Sequence, residues 1–94
     1  DPEIILMDEP LGALDAFNRR KLQNEFINIF IENKKTVIFV THDVEEAIYL
    51  GQKVVVMDDG KVSSEISVPL EYYRNTTDLR FLKLREDILH LFLK

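Results

Sequence analysis

Ile4-Ile5-Leu6-Met7-Asp8-Glu9-Pro10 is an apolar run that stops abruptly at two adjacent carboxylates and a proline. Four successive apolar residues suit a strand buried on both faces of a parallel sheet. Asp8 and Glu9 then sit at its C-terminal edge, where open α/β sheets hold their ligands. Only Asp1-Pro2-Glu3 come before this strand. No earlier element is available to cover it, so the expectation is a start truncated relative to a larger domain.

Leu11-Gly12-Ala13-Leu14-Asp15 reads as a short loop. Leu22, Phe26, Ile29 and Phe30 then recur at helical spacing with Arg19, Arg20, Lys21 and Glu25 between them. The pattern predicts a helix over about 16–32 with Asp15 as N-cap, closed by Asn33-Lys34-Lys35. Thr36-Val37-Ile38-Phe39-Val40 is β-branched and aromatic, a second buried strand ending at Thr41-His42-Asp43. Asp43 and Glu46 have capping-box spacing, which predicts a short helix over Val44–Leu50. Lys53 to Met57 is a third strand, Asp58-Asp59-Gly60 a hairpin turn, and Lys61 to Val68 the returning strand, ended by Pro69. Leu70-Glu71-Tyr72-Tyr73 is expected to form a helical turn. A last helix over about 78–92 carries Leu82, Leu84, Ile88, Leu89 and Phe92 on overlapping apolar stripes. This order is that of an α/β unit with an added hairpin.

With 94 residues the chain suffices for one small domain and one core. It contains no cysteine, which excludes disulfides and thiolate metal sites. Its apolar runs fall far short of the roughly 18 residues that a membrane span needs, and no signal-peptide layout opens it. A net charge of -5 argues against a general nucleic-acid binder, because phosphate contacts require clustered Lys and Arg.

A strand ending in Asp-Glu supplies what nucleotide hydrolysis needs: one carboxylate to hold Mg²⁺, usually through water, and a neighbour to orient the attacking water. Asp8 takes the first role and Glu9 the second. The plainer alternative is that Asp8 caps a turn and Glu9 is simply solvated. Thr41-His42-Asp43 brings a histidine to the same sheet edge, where His42 can donate a hydrogen bond to a γ-phosphate. His90, inside the amphipathic last helix, is read as an ordinary surface or packing residue.

Taken together, Ile4 to Pro10, Leu11 to Asp15 and Thr41 to Asp43 resemble three motifs of the ATP-binding-cassette (ABC) ATPases in that family's order and spacing. They look like the Walker B strand with its following glutamate, the D-loop and the H-loop histidine. Val44-Glu45-Glu46-Ala47 and the stretch from Val54 to Val62 are similar to the family's importer ATPases, and the resemblance covers residues 1 to about 68. Gly12 stands where many members carry serine, although glycine is familiar among importers of nitrate, sulfonate and taurine type.

The resemblance implies a partial P-loop NTPase core of the α/β class. Its parallel strands would have flanking helices, with a C-terminal antiparallel hairpin and helix. Residues 1–68 would be the C-terminal part of the nucleotide-binding domain and residues 69–94 a helical extension. It further implies that Asp8 is the magnesium-associated carboxylate, Glu9 the general base or water-orienting group, and His42 the γ-phosphate contact. Asp15 would act across a dimer, at a partner subunit's ATP. The implied cofactors are ATP and Mg²⁺. The implied partners are membrane-spanning transporter subunits and a second ATPase subunit, with no nucleic acid, at the cytoplasmic face of a membrane.

A complete site also needs a Gly-rich loop with Lys and Ser/Thr to cradle the phosphates. Gly12, Gly51 and Gly60 are the only glycines and none lies in that pattern, nor is there a glutamine loop or a Leu-Ser-Gly-Gly-Gln-type signature. The expectation is the C-terminal part of a domain of roughly 200–250 residues, inactive alone. In the family's sheet the phosphate-loop strand lies between the second and third strands read here. Its absence predicts either a rearranged sheet or self-association through exposed strand edges. Two other functional classes stand beside this one. The first is an ATPase that clamps or repairs DNA, which shares the Asp-Glu strand but carries long coiled-coil arms. The second is a non-catalytic interaction module built on the last helix.

Overall fold

A computed structural model describes residues 4–33 and 36–92, with side chains for residues 4–33 and 36–91. The lead-in at residues 1–3, Lys34 and Lys35 at the close of the first helix, and the Phe92 side chain lie outside the described residues. The elements are β1 (Ile4–Asp8), α1 (Ala16–Asn33), β2 (Thr36–Val40), α2 (Val44–Leu50), β3 (Lys53–Asp58), β4 (Lys61–Ser67) and α3 (Leu79–Phe92). Their order is the one the sequence predicts. The class is α/β, with a parallel strand pair, an antiparallel hairpin and helices. Instead of one core, the chain forms two compact units, Asp1–His42 and Asp43–Lys94.

In the first unit β1 and β2 pair in parallel, from Ile4 opposite Thr36 to Asp8 opposite Val40. Asp15 caps α1 as expected: Asn18 N–H donates to its Oδ1 at 2.8 Å and Asn18 Nδ2 to its Oδ2 at 3.0 Å. The helix lies on one face of the sheet. Its Phe26 ring meets Phe39 edge-on at 6.0 Å and stacks on Phe30 at 6.4 Å. Ile29, Phe30 and Asn33 flank an apolar groove whose other wall is Ile5 and Val37. Ile27 and Gln23 are the buried residues of α1, whereas Ile29 is about half exposed.

Burial of β1 and β2 on both faces, expected from their composition, is not observed. Side chains alternate across a strand, so α1 half-covers Ile5, Met7, Val37 and Phe39 and leaves the opposite face bare. Ile4 and Leu6 are each 66% exposed, and Ile38 and Val40 on the same face are also open to solvent. Among the described residues both sheets have two strands, and each strand is paired along one side only. No rearranged single sheet forms among the described residues.

Among the described residues, the second unit holds nine of the eleven buried apolar ones: Ile48, Tyr49, Leu50, Val54, Val56, Val68, Leu70, Phe81 and Ile88. Asp43 caps α2, accepting from the N–H groups of Glu45 (2.9 Å) and Glu46 (3.3 Å). At the other end Gly51 is obligatory for a steric reason. A Cβ there would stand 2.8 Å from the Ala47 carbonyl oxygen. The β3–β4 hairpin turns through Asp59 (φ 52°) and Gly60 (φ 75°), the paired positive φ of a type I′ loop. The register shifts between Val56 and Met57, which leaves Ser63 as an extra residue on β4. β4 ends at Ser67, one residue earlier than predicted, although Val68 N–H still reaches the Gln52 carbonyl at 3.0 Å.

On α3, Leu84, Ile88 and Leu89 of the expected stripes are buried or half-buried, together with buried Phe81, whereas Leu82 is 41% exposed. Periodicity alone did not distinguish the two overlapping stripes. Leu70–Tyr73, expected as a helical turn, is not helical; the Leu70 carbonyl such a turn would use accepts from a side chain instead. Arg74, buried, donates through Nε to the Leu70 carbonyl (3.1 Å) and through Nη1 to the carbonyls of Ile48 (2.6 Å) and Gly51. It also lies over the Tyr72 ring at 4.2 Å, and the Tyr72 hydroxyl donates to the Leu50 carbonyl at 2.5 Å. Burial pushes the Tyr72 phenol up and the Arg74 guanidinium down from their ordinary values. The pair thus ties the segment after β4 to the C-terminal end of α2, where a cation is also favoured by the helix dipole.

Removing that cation leaves three carbonyls without their charged donor. Arg74→Met is expected to lower the unfolding free energy by about 2–4 kcal/mol, measured by urea denaturation. A loss below about 0.5 kcal/mol, the level of an ordinary surface change, would show that the clamp is dispensable.

Candidate functional site

The parallel ladder places the candidate acids. It continues one residue past β1, because Glu9 N–H donates to the Val40 carbonyl at 2.8 Å. Glu9 and the residues after Val40 are thereby brought level at the C-terminal edge. His42 Nε2 lies 3.5 Å from Glu9 Oε1, with the His42 side chain 88% exposed. Two groups separated by a whole helix in sequence thus meet at adjacent strand ends.

Asp8 is the last residue of β1 and lies on the uncovered face with Ile4 and Leu6, exposed. Asp15 is not gathered with Glu9 and His42. It stands at the far end of the loop, with both carboxylate oxygens bonded to Asn18. His90 is exposed in the last turn of α3. Among the described residues no three His, Cys, Asp or Glu side chains come together as a metal cluster. That does not conflict with Mg²⁺ as the ion implied for Asp8, since Mg²⁺ is held by one or two carboxylates with waters and substrate phosphates rather than by a protein cage. Asp8 fits one such position and no more. Among the described residues, the apolar groove between Ile5, Val37 and α1 has Asn33 as its one polar lining side chain.

Two features of the site escaped the sequence reading. Glu9 has φ 46°, in the left-handed region that a side chain disfavours. The chain therefore leaves β1 through a strained residue at the candidate general base. The second feature is Arg19, whose Nη2 reaches back from α1 to the carbonyls of Gly12 (3.4 Å) and Leu14 (3.3 Å). Its signal was available as a cation one turn after the N-cap, in a helix with no acidic residue in its first turn. The loop is further held by Gly12 N–H to the Glu9 carbonyl (3.3 Å), Leu14 N–H to the Leu11 carbonyl (3.2 Å), and buried Leu11. A Cβ at Gly12 would stand 3.6 Å from the Glu9 carbonyl oxygen, ordinary contact, so the backbone does not demand glycine there.

The strain at Glu9 is testable by removing its cause. Glu9→Gly should raise the unfolding free energy by about 0.5–1 kcal/mol, the left-handed penalty less the added chain entropy. Glu9→Ala, which keeps the Cβ, should bring no gain. Equal urea midpoints for the two variants would refute the strain.

No protein-family model matches the chain. Individual curated proteins do. An uncharacterized ABC transporter ATP-binding protein of Methanocaldococcus jannaschii is 48% identical over 93 residues, which is 97% of this chain and 35% of that protein. The aliphatic sulfonates import ATP-binding protein SsuB of Bacillus anthracis is 47% identical over 98% of this chain and 38% of its own length. The SsuB protein of Bacillus subtilis is 41% identical over 100% of this chain and 38% of its own. The chain therefore spans a little over a third of the length of these relatives. Along nearly its whole length, it is a homologue of the ATP-binding proteins of ABC transporters.

Proposed function

We propose that the chain is part of an ATP-hydrolysing subunit of an ABC importer, in which hydrolysis is coupled to solute uptake through membrane-spanning subunits. The observation that carries this reading is the meeting of Glu9 and His42 at the ends of adjacent parallel strands, 3.5 Å apart. In the proposed assignment Glu9 orients or deprotonates the attacking water, and His42 donates to the γ-phosphate. Asp8 would hold Mg²⁺ through water, and the ion would neutralise charge on the phosphates. The phosphate-cradling loop belongs to residues outside this sequence. The 94 residues alone are accordingly proposed to be inactive. Residues 1–68 are assigned to the nucleotide-binding domain and residues 69–94 to a helical extension.

The loop from Leu11 to Asp15 is assigned to the contact with a second ATP-binding subunit. A peripheral position at the cytoplasmic face is part of this proposal; among the described residues no helix is long and apolar enough to cross a membrane. The names of the SsuB relatives support uptake of aliphatic sulfonates as the transport class. On its own, the chain is proposed to associate with itself. The bare face of Ile4, Leu6, Ile38 and Val40 and the unpaired strand edges are the surfaces available for this.

Two measurements test this reading. In a full-length protein carrying this sequence, Glu9→Gln should lower ATP turnover by about 10²–10⁴-fold, the span of a general acid–base contribution, and leave ATP binding intact. Unchanged turnover would remove Glu9 from the role. For the isolated chain, sedimentation equilibrium is expected to give a mass above the 11.0 kDa monomer. A clean monomer at high micromolar concentration would contradict self-association.

A further inference from the structure

Arg19 occupies a position that helix electrostatics disfavour. It lies in the first turn of α1, where the unpaired N–H groups make the helix end positive and a cation costs energy. That turn contains no acidic residue to offset the charge. The offset comes from the loop: Nη2 donates to the carbonyls of Gly12 and Leu14, while the Arg19 N–H donates to the Asp15 carbonyl at 2.9 Å. One side chain thus bonds two carbonyls inside the segment from Glu9 to Asp15, and one of them belongs to Gly12, whose own N–H donates to the Glu9 carbonyl. The segment's own bonds are two short turn contacts, Gly12 to Glu9 and Leu14 to Leu11. Without the guanidinium, the carbonyls of Gly12 and Leu14 would have to be satisfied by water, and a loop with one buried anchor, Leu11, would gain freedom at the residue that starts it.

We infer that Arg19 is a positioning residue, holding the Glu9–Asp15 loop in one conformation and so fixing both the direction of the Glu9 carboxylate and the face that Ala13 and Leu14 present. The inference rests on the proposed ATPase reading for its effect on turnover, but not for its effect on the loop. Both bonds come from Nη2, held at the end of a rigid planar group, whereas a lysine ammonium is a more strongly hydrated point charge on a flexible stem, so lysine should rescue only in part.

The test has two arms. In the 94-residue chain, amide hydrogen exchange by NMR should show Gly12 and Leu14 exchanging about tenfold faster in Arg19→Met, with the amides of Leu22 to Ile27 unchanged. In the full-length protein carrying this sequence, the same change should lower kcat by about 10–100-fold, the scale of a small misplacement. KM for ATP should stay within about twofold, and Arg19→Lys should fall between the two. Unchanged loop exchange would overturn the clamp, and faster loop exchange with unchanged kcat would overturn its role in positioning. Should Arg19→Met fail to fold, Arg19→Lys decides: wild-type values in both arms would refute the inference, and intermediate values would support it. If the unsubstituted full-length protein hydrolyses no ATP, the functional reading fails by itself, and the exchange arm still decides whether Arg19 holds the loop.

Discussion

The parallel ladder between Ile4–Asp8 and Thr36–Val40, prolonged by the bond from Glu9 N–H to the Val40 carbonyl, is the constraint on which the site depends. Parallel strands run their C-terminal ends to the same edge, so whatever follows each strand is delivered to one place. A shift of the pairing by one residue would turn every side chain of β1 to the other face and would part Glu9 from His42. The register is specified from one side only, by α1 seated against Ile5, Val37 and Phe39. The opposite face contributes nothing, since Ile4, Leu6, Ile38 and Val40 remain open to solvent.

That asymmetry separates the two halves of the chain. The second unit encloses most of the buried apolar side chains and closes its polar groups internally, through the Asp43 cap, the Arg74 clamp and the Tyr72 hydroxyl. The first unit has Leu11 and Ile27 as its only well-buried apolar residues among those described. The parallel pair therefore presents one apolar face to α1 and the other to solvent. The candidate chemistry sits on this less enclosed half. It is held there by local devices: a turn through strained Glu9, an arginine on two carbonyls, and an aspartate that spends its carboxylate on a helix end.

Asp15 illustrates how local structure constrains a proposed role. Its two oxygens accept from the backbone and side chain of Asn18. Its contribution to a contact with another subunit would therefore come through the loop whose end it fixes. Glu9 stands in the contrary position. Its backbone is strained while its side chain reaches toward a solvent-exposed histidine, an arrangement in which stability is given up at the residue assigned to the chemistry.

Much of this was legible in the residues. The seven elements, the caps at Asp15 and Asp43 and the Asp-Gly hairpin follow from short-range chemistry, because caps and turns are settled by side chains within three or four positions of the backbone they bind. The family resemblance likewise rests on motifs contiguous in sequence. What the sequence could not determine was anything set by which surfaces find a cover. It did not reveal that β1 and β2 would be buried on one face only, nor that Phe81 and not Leu82 would turn inward on α3. Nor did it reveal that Leu70–Tyr73 would give up a helical turn to a buried arginine 23 to 26 residues away from its other partners. Local patterning fixes which elements form and where they stop. Burial, long-range hydrogen bonds and the meeting of Glu9 with His42 depend on chain segments distant in sequence, and only the folded arrangement selects those.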